Sequence, residues 1–428
     1  MLQQQILDQN QPISSSLNSI PRYSLKILNP QVHYYYVAPG NNSKLIIDTI
    51  KKRKNWQESD NHLLHFQWNM NDNYFRFNIL SSLQIQIVNH LPNHRELTMK
   101  CNLIKNLKQF CQSNKRYVWD ITPLSFNIEL LTKENDLDKI LKEFTLFYEQ
   151  LKPQNNKKNT SNFNVPIKLN NQYIQPKMHS SFLDQENNYI WILKPNEFNR
   201  GRGISFFRTL EELKILLKNF IKGTSEYQFS QGQIKSSSFV IQKYIQRPLL
   251  LDGRKFDIRV WVLVNHNFDI YIFNQGYARL SSEMFDLTQL DAFIHLTNNA
   301  VQKHSKNYGF FELGNQISYS ELDYYTNGEF TKTVLPKIKS IIVLSWMAVQ
   351  HTFKKIKYSF EIFGYDFMLD ENLKPWLIEI NTNPCLEESS PLLKELIPKM
   401  IDHAFKIVID PLFSKITEST DWDHLLQL

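Results

Sequence analysis

The segment "FEIFGYDFMLDENLKPWLIEINTN" constrains the fold of this chain more than any other stretch. Two apolar runs flank the turn-forming residues "DENLKP", and this pattern predicts a β-hairpin. If the turn centres between Asn372 and Leu373, Asp366 lies opposite Glu379 with Cβ atoms about 5 Å apart. Glu379 and Asn381 are two residues apart on one strand, so their side chains share a face. Three oxygen-bearing side chains are therefore predicted to converge on one face of a sheet.

This polar face predicts a site for a divalent cation. Two carboxylates that lie close together repel each other unless a proton or a cation lies between them. Mg²⁺ prefers oxygen ligands, and one or two carboxylates usually hold it together with substrate phosphates. Asp366, Glu379 and Asn381 supply ligands of this kind. The residues alone leave open an alternative, the solvent-facing polar side of an edge hairpin.

A glycine-bearing segment upstream indicates phosphate binding. Lys194 ends an apolar strand and is followed by "NRGRGI", whose glycines let a backbone approach a phosphate closely. The segment leads into a strand and lacks the pattern GxxxxGK[ST], so it is neither a Rossmann loop nor a P-loop. A basic surface hairpin is the alternative interpretation.

The segment "VIQKYIQRPLLLDGRKFDIRVWVLV" carries a stronger signal. Lys255, Asp257 and Arg259 alternate along a predicted strand, so they share the face opposite its apolar side. Two cations around one acid suit a nucleoside triphosphate, because Lys and Arg side chains bind the negatively charged phosphate groups. A cross-strand row of salt bridges is the alternative. In "IQKYI" the strand backbone can meet an adenine edge while Gln242 and Lys243 reach the ring nitrogens.

Composition excludes several classes of protein. The 428 residues can form two or three domains, and the formal charge of +7 favours an acidic partner. The three cysteines form no CxxC pair, which fits a reducing compartment and argues against zinc. The polar start lacks the apolar core of a secretory signal, and no apolar run approaches a membrane span of about 18 residues. Sequence motifs of kinases, zinc proteases and serine hydrolases are missing.

Local patterns elsewhere predict a chain of mixed helices and strands. Residues 1–30 are expected to form a loose arm, and the low-complexity stretch 153–166 a loop. "YYYVAPGNNSKLIIDTIKKRKNW" is typical of a strand, a turn and a helix, and "ELTMKCNLIKNLKQFCQ" predicts a second helix. Thr209 and Glu212 have the spacing of a capping box at the start of a further helix. "FDIYIFNQGYARLS" is strand-like.

In their order and spacing, these motifs resemble the tubulin tyrosine ligase-like family. The resemblance rests on "WILKPNEFNRGRGI", the Lys255 segment, "GYARLS", "HLTNNAVQKHSKNYG" and the hairpin. It implies an ATP-grasp fold of α/β (α+β) class, with nucleotide between the central and the C-terminal antiparallel-sheet domains. With the local patterns it divides the chain into an arm, an N-terminal α/β domain, a central domain and a C-terminal domain, at 1–30, 31–115, 116–245 and 246–428.

The resemblance also implies roles for individual residues. The residues implied to bind ATP are Lys194, Arg200, Gly201, Arg202, Gly203, Ile204, Gln242, Lys243, Tyr244, Ile245, Lys255, Asp257, Thr297 and Asn298. Asp366, Glu379 and Asn381 are implied to hold Mg²⁺, which agrees with the hairpin pattern. Arg259 and Glu379 are the implied catalytic residues, with Arg259 close to the transferred phosphate. Arg279 is implied to bind the carboxylate of the incoming amino acid.

The implied reaction is ATP-dependent amide bond formation on tubulin. A protein carboxylate is phosphorylated, and the amine of a free amino acid attacks the acyl phosphate. Mg²⁺ and the Arg and Lys side chains offset charge on the transferring phosphate. Tubulin tails are acidic and suit a basic protein. We therefore expect tubulin or microtubules and a free amino acid as partners, no nucleic acid or membrane, a monomer, and a location in the cytoplasm, on the cytoskeleton and in the cilium or axoneme.

The motifs favour glycine as the amino acid that is added. Asn299 follows "HLTN" at a position where glutamate-adding members of the family have an aromatic residue. "NRGRGI" and "HLTNNAVQKH" resemble the glycine-adding members, while "HSKNYG" is also similar to the tyrosine ligase. Glutamate is the alternative amino acid. Two other functions stay open, a catalytically silent tubulin-binding protein and a ligase that acts on a protein other than tubulin.

Overall fold

The computed structural model describes most of the chain. The described residues are 32–60, 64–77, 85–130, 137–151, 167–169, 172–174, 189–223, 226–227, 230–233, 235–414 and 419–427. The predicted arm at 1–30 and the predicted loop at 153–166 lie outside these residues.

A four-stranded parallel sheet opens the described chain. Its strands, in the spatial order β2-β1-β3-β4, are β1 (His33–Val37), β2 (Trp56–Glu58), β3 (Phe66–Trp68) and β4 (Ile87–Val88). Helix α1 (Ser43–Lys51) follows β1, as predicted, and buries Leu45 and Ile50. These side chains lie five residues apart on the apolar stripe of an amphipathic helix, which explains why that face packs inward. We call the described residues between 32 and 94 the N-terminal unit.

The second predicted helix is interrupted at Met99. It consists of α2 (Arg95–Thr98) and α3 (Lys100–Ser113), because Met99 is extended, with φ −79° and ψ 125°. The side-chain amide of Asn106 donates to the carbonyl of Glu96 at 2.9 Å, so it replaces a helical hydrogen bond that the break removes. The break makes Lys100 the first residue of α3.

An antiparallel sheet forms the centre of the molecule. Its strands, in the spatial order β5-β12-β8-β9, are β5 (Ser125–Glu129), β12 (Ser238–Lys243), β8 (Trp191–Pro195) and β9 (Ser205–Phe207). The segment "NRGRGI" connects β8 to β9, as predicted. Helix α6 (Leu210–Lys222) then begins with the predicted capping box, which is confirmed, since Thr209 Oγ1 accepts from the N–H of Glu212 at 3.2 Å. The other described elements of this region are α4 (Leu137–Ile140), α5 (Lys142–Gln150), and the hairpins β6 (Ile167–Leu169) with β7 (Gln172–Ile174) and β10 (Glu226–Tyr227) with β11 (Ser230–Gln233).

The largest sheet of the described structure has eight antiparallel strands. They are β13 (Leu250–Leu251), β14 (Arg254–Asn265), β15 (Ile270–Phe273), β16 (Tyr277–Met284), β17 (Gln316–Ser318), β18 (Phe360–Leu369), β19 (Pro375–Thr382) and β20 (Trp422–Leu426). β14 pairs with β18 along one edge and with β16 and β15 along the other, and β18 pairs with β19. The strand-like segment "FDIYIFNQGYARLS" is two strands, β15 and β16, because residues 274–276 leave the sheet between them.

Helices cover both faces of this sheet. Those described after β16 are α7 (Ala292–His295), α8 (Asn299–Gln302), α9 (Tyr319–Tyr325), α10 (Leu335–Val349), α11 (Pro391–Val408) and α12 (Asp410–Phe413). Val260 and Val262 of β14 pack in one apolar cluster with the central sheet and α10. Trp261 and Leu263 pack in a second cluster with the N-terminal unit and α11. Phe256 and Ile258 lie with Val260 in the first cluster, as predicted for the apolar side of this strand.

Short 3₁₀ or π turns complete the described elements, at Asp72–Tyr74, Val118–Asp120, Leu313–Asn315, Phe330–Val334 and Gln350–Thr352. Within the described residues, no helix combines the length and the apolar character that crossing a bilayer requires.

Candidate active site

The hairpin of β18 and β19 brings the predicted cation ligands together. Asp366 pairs with Glu379 and Gly364 pairs with Asn381, so the predicted pairing of the two acids is confirmed. Gly364 leaves room for the guanidinium of Arg259, because a Cβ at residue 364 would lie 3.2 Å from Arg259 Cζ. The glycine therefore lets a cation lie across the strand beside the two carboxylates.

The turn of this hairpin lies half a residue earlier than predicted. Leu369 pairs with Pro375, which centres the turn on Asn372. A β-bulge beside Asp366 then adds Ile378 to β19 as an extra residue. Without that residue, a hairpin centred on Asn372 would place Ile378 opposite Asp366. The predicted turn centre was wrong, and the bulge compensates for the error.

A buried row of charges crosses the sheet from β16 to β18. Arg279 Nε and Nη2 lie 2.6 and 2.8 Å from the two carboxylate oxygens of Asp257. Arg259 Nε lies 2.6 Å from Asp366 Oδ1, and Arg279 Nη2 lies 2.9 Å from Asp366 Oδ2. Burial alone would raise the pKa of Asp366, but the two guanidinium groups lower it to about 2. The cross-strand salt bridges considered as an alternative are therefore present, and they line the same face as the predicted site.

The remaining ligand candidates lie at the end of this row. Asn381 Nδ2 is 3.3 Å from Asp366 Oδ2 and 3.2 Å from Glu379 Oε1. Rotation of the amide exchanges its nitrogen for its oxygen, and three oxygens then surround one point. That donor set fits Mg²⁺, which takes its other ligands from phosphate and water. Among the described residues, no group of three His, Cys, Asp or Glu side chains could hold a metal alone.

A cleft lies between the central and the eight-stranded sheets. The predicted site residues that line it are Lys194, Gly201, Ile204, Gln242, Lys243, Tyr244, Ile245, Lys255, Asp257, Thr297, Asn298, Asp366 and Glu379. The predicted site residues outside its lining are Arg200, Arg202, Gly203, Arg259, Arg279 and Asn381. Because most of the residues predicted to bind ATP line this space, we call it the nucleotide cleft.

Polar contacts hold the buried lysines of the nucleotide cleft. Lys194 Nζ donates to Gln242 Oε1 at 2.7 Å, and Gln242 in turn donates to the hydroxyl of Ser125 at 3.0 Å. Lys255 Nζ donates to the carbonyl of His295 at 2.5 Å and lies 4.6 Å from the centroid of the Tyr244 ring. Both amino groups are therefore held in position before any ligand binds.

The loop between β8 and β9 lies against the segment that contains Thr297 and Asn298. Arg200, Gly201 and Gly203 all have positive φ, at 62°, 76° and 71°. A Cβ on Gly201 would lie 3.0 Å from Val301 Cγ2 and 3.3 Å from Asn298 Oδ1. Only glycine allows this approach, which brings the loop backbone to the mouth of the cleft.

In the segment 242–245, which is predicted to face adenine, part of the backbone is already hydrogen-bonded within the protein. The N–H groups of Lys243 and Tyr244 donate to the carbonyls of Leu124 and Ile190, at 2.8 and 3.0 Å. Thr297 Oγ1 donates to Asp257 Oδ2 at 2.6 Å, which ties the "HLTN" segment to β14. The predicted adenine-side residues and the predicted phosphate-side residues therefore face one space.

Two residues of this region were missed by the sequence reasoning. Lys100 Nζ donates to the carbonyl of Phe198 at 2.8 Å and lies 3.6 Å from Glu379 Oε2. His295 accepts from the Tyr244 hydroxyl at 2.8 Å, and burial lowers its pKa to about 4. The sequence signal that could have identified Lys100 is its place beside the apolar face of its helix. For His295 the signal is its place as the first residue of "HLTN".

A second cleft, of about 390 Å³, borders the same end of β19. Its lining comes from the N-terminal unit, from α2, from the loop after β8 and from β19. The lining residues are Met70, Asn71, Asp72, His90, His94, Arg95, Thr98, Met99, Asn196, Glu197, Asn199, Ile380, Asn381 and Thr382. Glu379 lines the nucleotide cleft and Asn381 lines the second cleft, and these two side chains lie 3.2 Å apart, so the clefts border neighbouring residues of the predicted cation face.

Binding of ATP should be coupled to proton uptake at about pH 8. Burial lowers the pKa of Lys255 to about 7 and that of Lys194 to about 8. A polyphosphate beside these amines favours their charged forms and raises both pKa values. Each amine that is neutral in the free protein then takes up a proton, so ATP affinity should fall as the pH rises above about 7.

Calorimetry in two buffers of different ionisation enthalpy measures this uptake. The apparent binding enthalpy should change with the buffer, and Lys255→Arg should reduce that change because a guanidinium stays protonated. An enthalpy that is independent of the buffer would contradict neutral lysines in the free cleft.

Comparison with known proteins identifies the fold family. The sequence model of the "Tubulin-tyrosine ligase family" matches residues 78–417. A probable alpha-tubulin polyglutamylase of Tetrahymena thermophila is 32% identical over 348 residues, which cover 78% of this chain and 75% of that protein. Tubulin glycylases 3B and 3D of the same organism are each 35% identical, over 229 and 232 residues, and each match covers 52% of this chain.

The matched region spans only 18% and 21% of those two glycylases. The family match confirms three predictions made from the sequence: the family, the mixed α/β fold class and the enzyme class of ATP-dependent amino-acid ligase. The chain belongs to the tubulin-tyrosine ligase family.

Proposed function

We propose that this chain uses ATP to add amino acids, glycine in particular, to carboxylates of tubulin tails. The observation that carries the proposal is that one cleft is lined by Asp366 and Glu379 and the second by Asn381, whose side chain contacts both carboxylates. One cleft has the buried lysines that bind the charge of a nucleoside triphosphate. The other is lined by Asn381, beside the same carboxylates, and would take the acceptor side chain.

The nucleotide cleft would bind the triphosphate through its cations and its loop. Lys194 and Lys255 bind phosphate oxygens as fixed charges, and the glycine-bearing loop adds backbone N–H groups. Gln242, Lys243, Tyr244 and Ile245 face the adenine, and Asp257, Thr297 and Asn298 face the ribose and phosphates. Arg200, Arg202, Gly203 and Ile204 belong to the same loop and shape it.

The cation site and Arg259 would act on the transferring phosphate. Asp366, Glu379 and Asn381 are the residues that would hold Mg²⁺, which when bound offsets negative charge on the phosphates. Arg259 adds a fixed positive charge on the same face. Lys100, which lies 3.6 Å from Glu379, extends this positive surface toward the second cleft.

The reaction proceeds in two balanced steps. An oxygen of the acceptor carboxylate attacks the γ-phosphorus, the bond to the β-phosphate oxygen breaks, and ADP leaves. The amine of the incoming amino acid, after losing a proton, then attacks the acyl carbon, the carbon–oxygen bond breaks, and inorganic phosphate leaves with its electron pair. Arg279 uses Nε and Nη2 for its acidic partners, and we assign its Nη1 to the carboxylate of the amino acid.

The cations around the nucleotide cleft support glycine. Glutamate brings a second carboxylate, which requires a cation of its own when it leaves water. Five buried cations of the described site already have acceptors, and these cations are Lys100, Lys194, Lys255, Arg259 and Arg279. Glycine adds no side-chain charge, so it fits without displacing any of these contacts.

The relative with the longest match of those compared favours glutamate as the second candidate. The probable polyglutamylase matches 78% of this chain, whereas glycylase 3B matches 52%. A glutamate would then bind a cation that exchanges its present acceptor for the substrate. Lys100 is suited to that exchange, because its contact with Glu379 is long.

The charge of the chain supports an acidic protein partner. The formal net charge is +7, and the tails of tubulin are acidic. We accordingly propose that the protein binds tubulin or microtubules as a monomer, in the cytoplasm, on the cytoskeleton and in cilia.

Incorporation of single labelled amino acids tests the proposal. The full chain, tubulin and Mg²⁺-ATP are incubated with labelled glycine, glutamate or tyrosine in separate reactions. We expect label from glycine alone, at the acceptor side chain, and loss of the label when ATP is omitted. Intact mass of the tubulin then distinguishes one added residue from a chain.

Label from glutamate alone would show that the protein adds glutamate, the second candidate, and not glycine. A further reaction contains a mixture of ciliary proteins. Label in a protein other than tubulin in that reaction would contradict tubulin as the substrate. Absence of label in every reaction, while the protein still sediments with microtubules, would identify a catalytically silent binding protein.

A further inference from the structure

A buried polar network joins the N-terminal unit to the end of β19. Glu361, the second residue of β18, is 1% exposed. Its carboxylate accepts from His90 Nδ1 at 2.9 Å, from the N–H of Leu91 at 3.0 Å and from Thr382 Oγ1 at 2.6 Å. The other ring nitrogen of His90 lies 3.0 Å from the carbonyl of Asn69.

Both members of the central pair carry charge. The two ring nitrogens of His90 each face an acceptor, so both carry protons. Burial alone would lower the pKa of His90, but the Glu361 carboxylate raises it above its ordinary value. The other titratable groups nearby are His94, whose ring lies 5.7 Å from that of His90, and Asp72, 3.4 Å from His94. A buried, hydrogen-bonded ion pair of this kind resists displacement.

The network reaches the predicted cation face through one residue. Thr382 follows Asn381 directly, and it pairs with Phe363 at the last rung of the hairpin. Its hydroxyl is fixed by Glu361, so the backbone that carries Asn381 cannot rotate freely. Glu361 and His90 do not line the nucleotide cleft.

The residues after Thr382 are held from the same side. Asn41 Nδ2 donates to Asn383 Oδ1 at 2.7 Å and to the carbonyl of Pro384 at 3.0 Å. Asn383 Nδ2 in turn donates to the carbonyl of Met70 at 3.1 Å. The end of β19 is therefore attached to the N-terminal unit at two independent points.

We propose that His90 and Glu361 are positioning residues, which act through Thr382 to hold Asn381 in the geometry that the cation site needs. The N-terminal unit then sets the cation site, in addition to lining the second cleft. The proposal rests on the proposed function, because it concerns the same cation site. Partners that orient metal ligands without touching the metal typically contribute about 10- to 100-fold in metal affinity or activity.

Thr382→Val and Thr382→Ser form a matched pair that tests this role. Valine has nearly the shape of threonine and lacks the hydroxyl, whereas serine keeps the hydroxyl. We expect Thr382→Val to lower kcat by about tenfold or more and to raise the Mg²⁺ concentration needed for half-maximal activity by a similar factor. The KM for ATP at saturating Mg²⁺ should stay within about twofold, and Thr382→Ser should restore both values.

A second readout avoids turnover altogether. Calorimetry measures how far Mg²⁺ tightens ATP binding, and Thr382→Val should lose most of that gain while binding ATP alone as the unchanged protein does. Equal Mg²⁺ dependence in the two variants would overturn the positioning role, and so would a serine variant as impaired as the valine variant. His90→Gln, which also removes the charge, should show the larger loss in the same assay if it folds.

The two proposals can fail separately. If the unchanged protein labels no substrate but Thr382→Val still weakens Mg²⁺-dependent ATP binding, the positioning role stands and the ligase function fails. If the unchanged protein adds an amino acid and Thr382→Val adds it at the same rate and Mg²⁺ dependence, the ligase function stands and the positioning role fails.

Discussion

Glu379→Gln should abolish ligation and leave the fold intact. The substitution keeps the shape of the side chain and removes its charge, so the proposed cation site loses one of its two carboxylates. Loss of a single group that stabilises transition-state charge typically lowers kcat by about 10²- to 10³-fold. Initial rates of label incorporation measure this loss.

The structure explains why this variant should still fold. The Glu379 side chain is 14% exposed, and its described contacts are a long one to Lys100 and an amide hydrogen bond from Asn381. A glutamine can keep the second contact, so the thermal unfolding midpoint should change little. Glu371→Gln on the turn of the same hairpin is the matched control, because Glu371 is half-exposed and contacts only Arg247 among its described ion pairs. Turnover near the normal rate in Glu379→Gln would refute the assignment of this carboxylate to the cation site.

Asp366→Ala should destabilise the fold strongly, which makes it a poor test of catalysis. The Asp366 carboxylate binds Arg259 and Arg279, and all three side chains are buried. Removing one partner of a buried ion pair typically costs about 3–5 kcal/mol, because the remaining charge loses its compensation. Denaturant unfolding should show this loss as a lower midpoint with an unchanged slope.

The ion pairs of Asp366 also predict how the stability of the fold decreases at acid pH. The folded-state pKa of Asp366 is about 2, below the ordinary value of 3.8. The unfolded chain therefore binds the proton more readily, so the stabilisation is complete above about pH 4 and is lost as the pH falls toward 2. Asp366→Asn should remove this part of the acid dependence. A variant Asp366→Ala with the stability of the unchanged protein would show that solvent or another acid compensates both arginines.

The sequence pattern was sufficient to predict the strands that carry the site. Lys255, Asp257 and Arg259 alternate with buried apolar residues, and a period of two leaves no other arrangement on a strand that is packed on both faces. The pairing of Asp366 with Glu379 was also correct, although the turn was not. A β-bulge adds one residue without a mark in the polar pattern, so the sequence reasoning did not detect it.

The sequence reasoning did not predict the contacts between elements that are distant in the chain. At the break, the Asn106 side chain donates to the carbonyl of Glu96, and periodicity does not register such side-chain bonds. Lys100 reaches Glu379 across 279 positions of sequence, and this approach depends on how the helix packs against the hairpin. Arg279 was expected to face a substrate carboxylate, whereas the structure shows that Asp257 and Asp366 already bind two of its nitrogens.

The domain boundaries stay a prediction, since the described structure gives sheets and clusters and no test of independent folding. The three sheets nevertheless fall within the three predicted segments, with β1–β4 before residue 115, β5 to β12 between 116 and 245, and β13 to β20 after 246. That agreement comes from local strand patterns, which the sequence displays directly.

The two clefts beside the end of β19 have a consequence for the order of substrate binding in the proposed function. The nucleotide would occupy the cleft lined by Asp366 and Glu379 and the acceptor peptide the cleft lined by Asn381, so neither would have to leave before the other enters. In kinetic terms, the two substrates can bind in either order, and ADP can be replaced by ATP while the modified peptide remains bound. A protein built in this way can extend one side chain through several rounds without releasing it, and the number of residues added then depends on the residence time of the peptide.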